Sequence, residues 1–255
     1  EALGFIVAGP WWGFNALEGS ARELRKFSPR ARLFPCILTA VLLLLTSCVK
    51  SPVLAPPDRI RSLEGYGSAS LRGETGFSKA KFSFVFEWPG RGKIEALDVL
   101  GRTMYFILFG DGSSYLVVPS KRIFAEAGAG KMMNRMFGLD FSPEEVICLM
   151  SGRWGNGNTG GGTGLQAAWS LDRDDKGRVQ AGTKGEFRFE VIEFHKGIAV
   201  PRSISFRRPP NEGRIKITAL WFNRPIRPKV FDAEFLKGYQ PKTWAEMEIL
   251  LKNED

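Results

Sequence analysis

One histidine, His195, serves the whole 255-residue chain. A histidine-containing triad or a zinc site would have to be built around it alone. Its neighbours Phe194 and Lys196 read as a strand end. Gly-x-Ser-x-Gly, His-Glu-x-x-His and Cys-x-x-Cys are all missing, which removes the common hydrolase elbow and the compact metal motifs. The acid pairs Asp174-Asp175 and Glu144-Glu145 are adjacent in sequence, and a turn and a helix start account for them. Asn156 to Gly164 is glycine-rich but lacks the Gly-Lys-Ser/Thr ending of a phosphate loop, so it reads as a hairpin connection. Cysteine is scarce too: of three, only Cys148 lies beyond residue 48, so the body of the chain has no disulfide framework. Neither catalysis, nor a cofactor, nor a metal is expected.

No apolar run reaches the roughly 20 residues that a membrane-crossing helix needs. The longest, Leu33 to Leu45, follows a basic lead-in of Arg22, Arg25, Lys26, Arg30 and Arg32. Basic, then apolar, then small residues is the layout of a secretory signal. It closes on Leu45-Thr46-Ser47-Cys48, which resembles a bacterial lipobox, whose cysteine is acylated and becomes the first mature residue. An ordinary signal with a chance cysteine is the alternative. Residues 1–21 resemble no targeting element, and no methionine precedes Met104, so residues 1–47 are read as an upstream extension plus signal. After Cys48, Pro52, Pro56 and Pro57 mark a semi-rigid tether over residues 48–61. Val49 in place of aspartate favours, by the sorting rule of enteric bacteria, delivery to the outer membrane. The net charge is +9. Such a surplus suits anionic lipid headgroups or an acidic partner, though many soluble proteins carry it without either. Nucleic acid is not an expected partner of an exported chain.

Beyond the tether, period-two alternation dominates. Phe82, Phe84, Phe86 and Trp88 share one face of a strand whose other face carries Lys81, Ser83, Val85 and Glu87. Ile94 and Ala96 continue the apolar side, and Thr103 to Phe109 is apolar on both faces. Late in the chain Phe187, Phe189 and Val191 alternate with polar residues, as do Ile215, Ile217, Ala219 and Trp221. Nine to eleven antiparallel strands with short Gly and Pro turns are expected. Two helices interrupt them. Lys131 to Phe137 is short and Met-rich. Ser142-Pro143-Glu144-Glu145 is a capping box that opens a second helix with Val146, Leu149 and Met150 on its apolar stripe and Gly152 as its stop. They either plug the end of the sheet or form a lid over a lipid cavity, with methionines as adaptable contacts. Thr243 to Lys252 reads as an amphipathic helix packed on the sheet. A sheet of this size is either filled by its side chains or holds an apolar ligand.

Four segments together resemble the outer-membrane lipoprotein receptor family, LolB, and its carrier relative LolA. They are the aromatic strand Phe84-x-Phe86-x-Trp88, the loop Asp98-Val99-Leu100-Gly101-Arg102-Thr103, the run Gly138 to Pro143 leading to Leu149-Met150-Ser151-Gly152, and Val200-Pro201-Arg202 with Arg214 to Trp221. The likeness spans about residues 62–224. It implies a mainly β fold, an unclosed antiparallel half-barrel whose concave hydrophobic face is covered by helices. Residues 62–230 would form that half-barrel and 231–255 a C-terminal extension. By the same likeness, Phe82, Phe84, Phe86, Trp88, Ile94, Tyr105, Ile107, Ile215, Ile217 and Trp221 would line an acyl-chain cavity, and Val146, Leu149 and Met150 would be its lid. Val99, Leu100 and Gly101 would form a membrane-insertion loop, although position 99 carries Val where the family has Pro, and Leu100 is equally read as a partly buried turn residue. The expected protein is a monomer held to the periplasmic side of the outer membrane through Cys48. It would take lipoprotein acyl chains from a LolA-like periplasmic carrier. Other envelope lipids on the same fold, or a structural lipoprotein with a filled core, are the alternatives.

Overall fold

Phe82, Phe84 and Phe86 all turn to one side of the strand Gly76–Glu87 and are buried there, so the alternation written in the sequence becomes the inner face of a sheet. The computed structural model describes residues 55–73, 76–110, 112–137, 141–154 and 168–252. Cys48, the apolar run before it, the first part of the tether and the glycine-rich stretch 156–164 lie outside the described residues. The strands in chain order are β1 Ser62–Gly73, β2 Gly76–Glu87, β3 Arg91–Leu97, β4 Thr103–Phe109, β5 Ser114–Val118, β6 Ile123–Ala127, β7 Ser170–Arg173, β8 Val179–Lys184, β9 Phe187–Phe194, β10 Pro201–Arg208, β11 Asn211–Phe222 and β12 Gln240–Pro241. They form one sheet in the order β12-β6-β5-β4-β3-β2-β1-β11-β10-β9-β8-β7. Two strands remain as edges, so this is an unclosed barrel. Pairing is antiparallel throughout, except that the two-residue β12 runs parallel to β6. That short strand, added from the far C-terminus, takes the count past the expected eleven.

Glycine decides how the aromatic rings lie on the inner face. Phe84 stands directly across from Gly65, and Phe82 across from Gly67. Phe86 faces Gly92, Phe189 faces Gly182 and Phe206 faces Gly213. A Cβ at Gly65 would sit 2.5 Å from the Phe84 ring and 2.6 Å from the Ala219 carbonyl. Each ring therefore lies flat over a neighbouring backbone instead of standing up into the interior. This is the close approach that an interior strand glycine permits. Toward the β1–β2 turn the same face shrinks to Ala69, Ala80, Ala96 and Ser78.

One expectation on this face changes. Strict alternation puts Trp221 with Ile215 and Ile217. A bulge at Thr218, whose hydroxyl donates to the Tyr66 carbonyl at 3.0 Å, shifts the register of β11 by one residue. Leu220 and Phe222 then join Ile217 inside, and Trp221 turns outward, edge-on to Tyr66 and beneath Arg224.

Strand β4 is apolar on both faces because it is covered on both. Phe109 and Ile107 belong to the main core, while Phe106 and Leu108 form a second cluster with Val117 and Leu236 on the outer face. Leu236 comes from the single-turn segments Pro228–Phe231 and Glu234–Gly238, which lie over β3 to β6 before β12 pairs with β6. Three helices cover the inner face: α1 Ala129–Phe137, α2 Pro143–Ser151 and α3 Trp244–Lys252. Met132, Met133 and Met136 of α1, most of α2 and Met247 of α3 are buried in the main core. None of the described helices is long and apolar enough to cross a membrane. Among the described residues the buried hydrophobic side chains run from Ile60, at the end of the tether, to Met247, and most of them belong to one core.

Candidate functional site

Where the inner face shrinks to alanine and serine, the helices do not reach the sheet. They leave an apolar cavity of about 120 Å³. Phe82, Ile94, Tyr105, Ile107 and Ile215 wall it from the sheet, and Met133, Val146, Leu149 and Met150 from the helices. An apolar void of roughly 150 Å³ stays dry and accepts a benzene-sized guest. Toward the β1–β2 turn the cavity's lining includes the half-buried Leu71 and Phe206. Burial pushes the Tyr105 phenol far above its usual range, so the wall carries no charge from it.

Five of the ten expected lining residues meet at this void, and so do all three expected lid residues. Phe84, Phe86 and Ile217 share the inner face but are packed in the core and do not line the void. Trp88 is half-buried beyond the end of β2 and packs on the same core. Trp221 is on the other face. The sequence reading overlooked Phe141, Phe187 and Phe206, which complete the wall. Phe187 and Phe206 alternate visibly in their strands, but only the strand register shows that they converge.

Helix α2 is held in place by its own start. The Ser142 hydroxyl accepts from the Glu145 N–H and the Glu145 carboxylate accepts from the Ser142 N–H, the reciprocal capping box. The same buried carboxylate accepts from Lys184 Nζ at 2.8 Å and from Trp169 Nε1 at 2.7 Å. At the other end Gly152 adopts φ +71, and a Cβ there would strike the Ala199 carbonyl at 2.4 Å. Between these clamps sits Cys148, whose thiol is pushed up to about 12 by burial and then by the charges of Glu145 and Glu144. It is an inert packing group.

The β3–β4 turn presents Val99 and Leu100, 85% and 74% exposed. Asp98 builds its frame: Oδ1 accepts from the N–H groups of Leu100 and Arg102, and Oδ2 from Arg102 Nε. Gly101 takes φ +80 and donates to the Asp98 carbonyl. The β7–β8 turn repeats this frame bond for bond, with Asp174, Gly177 at φ +73 and Arg178. Its two tip residues are Asp175 and Lys176. The frame therefore places no apolar demand on its tip, and Val99-Leu100 is exposed without a folding reason.

No family model matches the chain, and neither does any curated protein. Among solved structures, a DUF1329 family protein from Desulfovibrio piger is similar at 10% identity and a TM-score of 0.46, over 69% of this chain and 92% of that one. A domain from Vibrio parahaemolyticus assigned to outer membrane lipoprotein sorting aligns at 10% identity and 0.44, over 72% and 93%. A LolA superfamily protein from Nitrosomonas europaea aligns at 8% and 0.41, over 71% and 93%. At such identities and scores these likenesses do not identify a ligand.

Proposed function

We propose that this is a lipid-anchored envelope protein that takes lipoprotein acyl chains into its apolar cavity and helps deliver lipoproteins to the outer membrane. Cys48 is the anchor, a LolA-like carrier the donor, and Leu100 the residue that enters the target bilayer. Burying each methylene is worth about 0.8 kcal/mol, so acyl chains cross water only when covered. The work is one of covering and release, and no bond is made or broken. The observation that carries this reading is the pairing of an apolar cavity, floored by a sheet and roofed by methionine-bearing helices, with an exposed Val99-Leu100 tip on a turn frame that recurs at Asp174 with a polar tip.

The cavity's about 120 Å³ is below the roughly 300–1,000 Å³ of pockets that enclose a drug-sized ligand. Three acyl chains need α1 and α2 to move off the sheet. The unopened space fits the end of a single chain better, which favours a second reading, a carrier of another envelope lipid on the same site. Mass spectrometry of lipids and acylated peptides copurified from a Gram-negative periplasm, on the chain from Ser51 onward, separates the two. Triacylated peptide supports lipoprotein delivery, and phospholipid or glycolipid supports the second reading. Leu100→Asp should change unfolding free energy by no more than about 0.5 kcal/mol, as exposed sites do. It should also abolish transfer of bound acylated peptide to vesicles. Undiminished transfer would remove the loop from the proposal.

A further inference from the structure

Cations and serines alternate over the outer face of β2, β1, β11 and β10, on the side away from the cavity. Directly opposed residues form rows across these strands. Lys81, Ser68, Lys216 and Ser203 make one row, and Lys79, Ser70, Arg214 and Ser205 the next. Arg72, Glu212, Arg207 and, on β9, Arg188 make the row nearest the turns. All seven cations are exposed. Acids are few beside these rows: Glu212 meets Arg72 at 3.9 Å, Glu193 is taken by Arg202 at 2.5 Å, and Glu190 faces Ser205, while Glu64 and Glu87 stand toward the opposite end of β1 and β2, Glu87 paired with Arg91. Lys79, Lys81, Arg188, Arg207, Arg214 and Lys216 form no ion pair with a described residue.

Part of this arrangement works against the fold. Arg207 stands directly across from Arg188, and like charges so placed are destabilising. The other half of the outer face, over β3 to β6, is covered by residues 228–241. No described residue covers the basic half. The strand register brings the β1–β2, β3–β4, β8–β9 and β10–β11 turns to one end of the sheet, where the cation rows meet three exposed apolar side chains: Val99, Leu100 and Phe77, the last 64% exposed. A soluble polyanion would match the cations but not the apolar tips. A bilayer surface with anionic headgroups matches both.

We infer that the outer face of β2, β1, β11 and β10 docks on an anionic phospholipid surface, its cations against the headgroups and its apolar turns at the rim of the contact. The inference rests on the membrane-facing role of the Leu100 turn and not on what the cavity holds. Sedimentation of the chain from Ser51 onward with phosphatidylcholine vesicles, with and without phosphatidylglycerol, tests it. Binding should require phosphatidylglycerol and weaken as salt is added. The combined Lys79→Ser, Arg214→Ser and Lys216→Ser variant should bind about a hundredfold more weakly, at roughly fivefold per cation. Equal binding with and without phosphatidylglycerol overturns the inference, and that result needs no variant to fold. So does wild-type-like binding of the variant, or binding of dextran sulfate without binding of vesicles. Transfer of acylated peptide, followed in the same samples, keeps the two proposals apart. Charge-independent binding with Leu100-dependent transfer sinks only the docking face. Charge-dependent binding with transfer that ignores Leu100→Asp sinks only the lipid-delivery role of the loop.

Discussion

At Gly65 a single missing carbon shapes the interior. The Phe84 ring covers that backbone, and the Ala219 carbonyl closes the other side, so a methyl group has nowhere to go. Gly65→Ala should destabilise the fold by about 1–3 kcal/mol, the usual cost of overpacking, seen as a lower urea midpoint with unchanged slope. An effect under about 0.5 kcal/mol would mean that the ring lifts freely. Such a pair is invisible in sequence, because Gly65 and Phe84 meet only once β1 and β2 are in register. The Thr218 bulge was hidden for the same reason. Alternation from Ile215 to Trp221 is unbroken on paper, and the extra residue shows only against the partner strand.

Among the elements, α2 was the most legible. Ser142, Pro143 and Glu145 lie within one turn of each other, and their bonding is local. The further use of Glu145 was not, since Trp169 and Lys184 reach it from other parts of the chain. Glu145→Ala removes the acceptor of a half-buried ammonium and a buried indole N–H. The expected loss is about 3–5 kcal/mol, as for breaking a buried pair from one side. Chemical denaturation measures it, and a loss close to that of a plain capping change, about 1 kcal/mol, would show that Lys184 and Trp169 find water instead. The apolar-both-sides pattern of β4 was also legible, but not its cover. That cover comes from Leu236 and its neighbours, more than a hundred residues away along the chain.

For the molecule as a whole, acid should act in two separate windows. Burial first, and then Arg202, depress His195 below its ordinary 6.5, against a smaller opposing effect of Glu193. The unfolded chain therefore binds this proton more readily, and the stability it contributes is lost as pH falls below 6.5 through the folded value. Asp98 is lowered by the Arg102 N–H and guanidinium, and Glu246 by the Thr243 N–H and hydroxyl. Their contribution persists above the ordinary carboxylate range and disappears as pH falls through their lowered values. Melting temperature against pH should show a first decline beneath 6.5, removed by His195→Gln, and a second at carboxylate pH that remains. A first decline untouched by His195→Gln would assign it elsewhere.

The C-terminal segment crosses from one side of the sheet to the other. Leu236 sits on the outer face, Gln240 and Pro241 pair along the β6 edge, and Met247 is buried inside. They come more than a hundred residues after β4 and β6 in the chain, and so emerge well after those strands during synthesis. Until they emerge, the β6 edge and the outer side of β4 lack the cover these residues supply, so the nascent chain carries a sticky border that this later segment seals. At that edge the fold waits on a segment made long after the strands it covers.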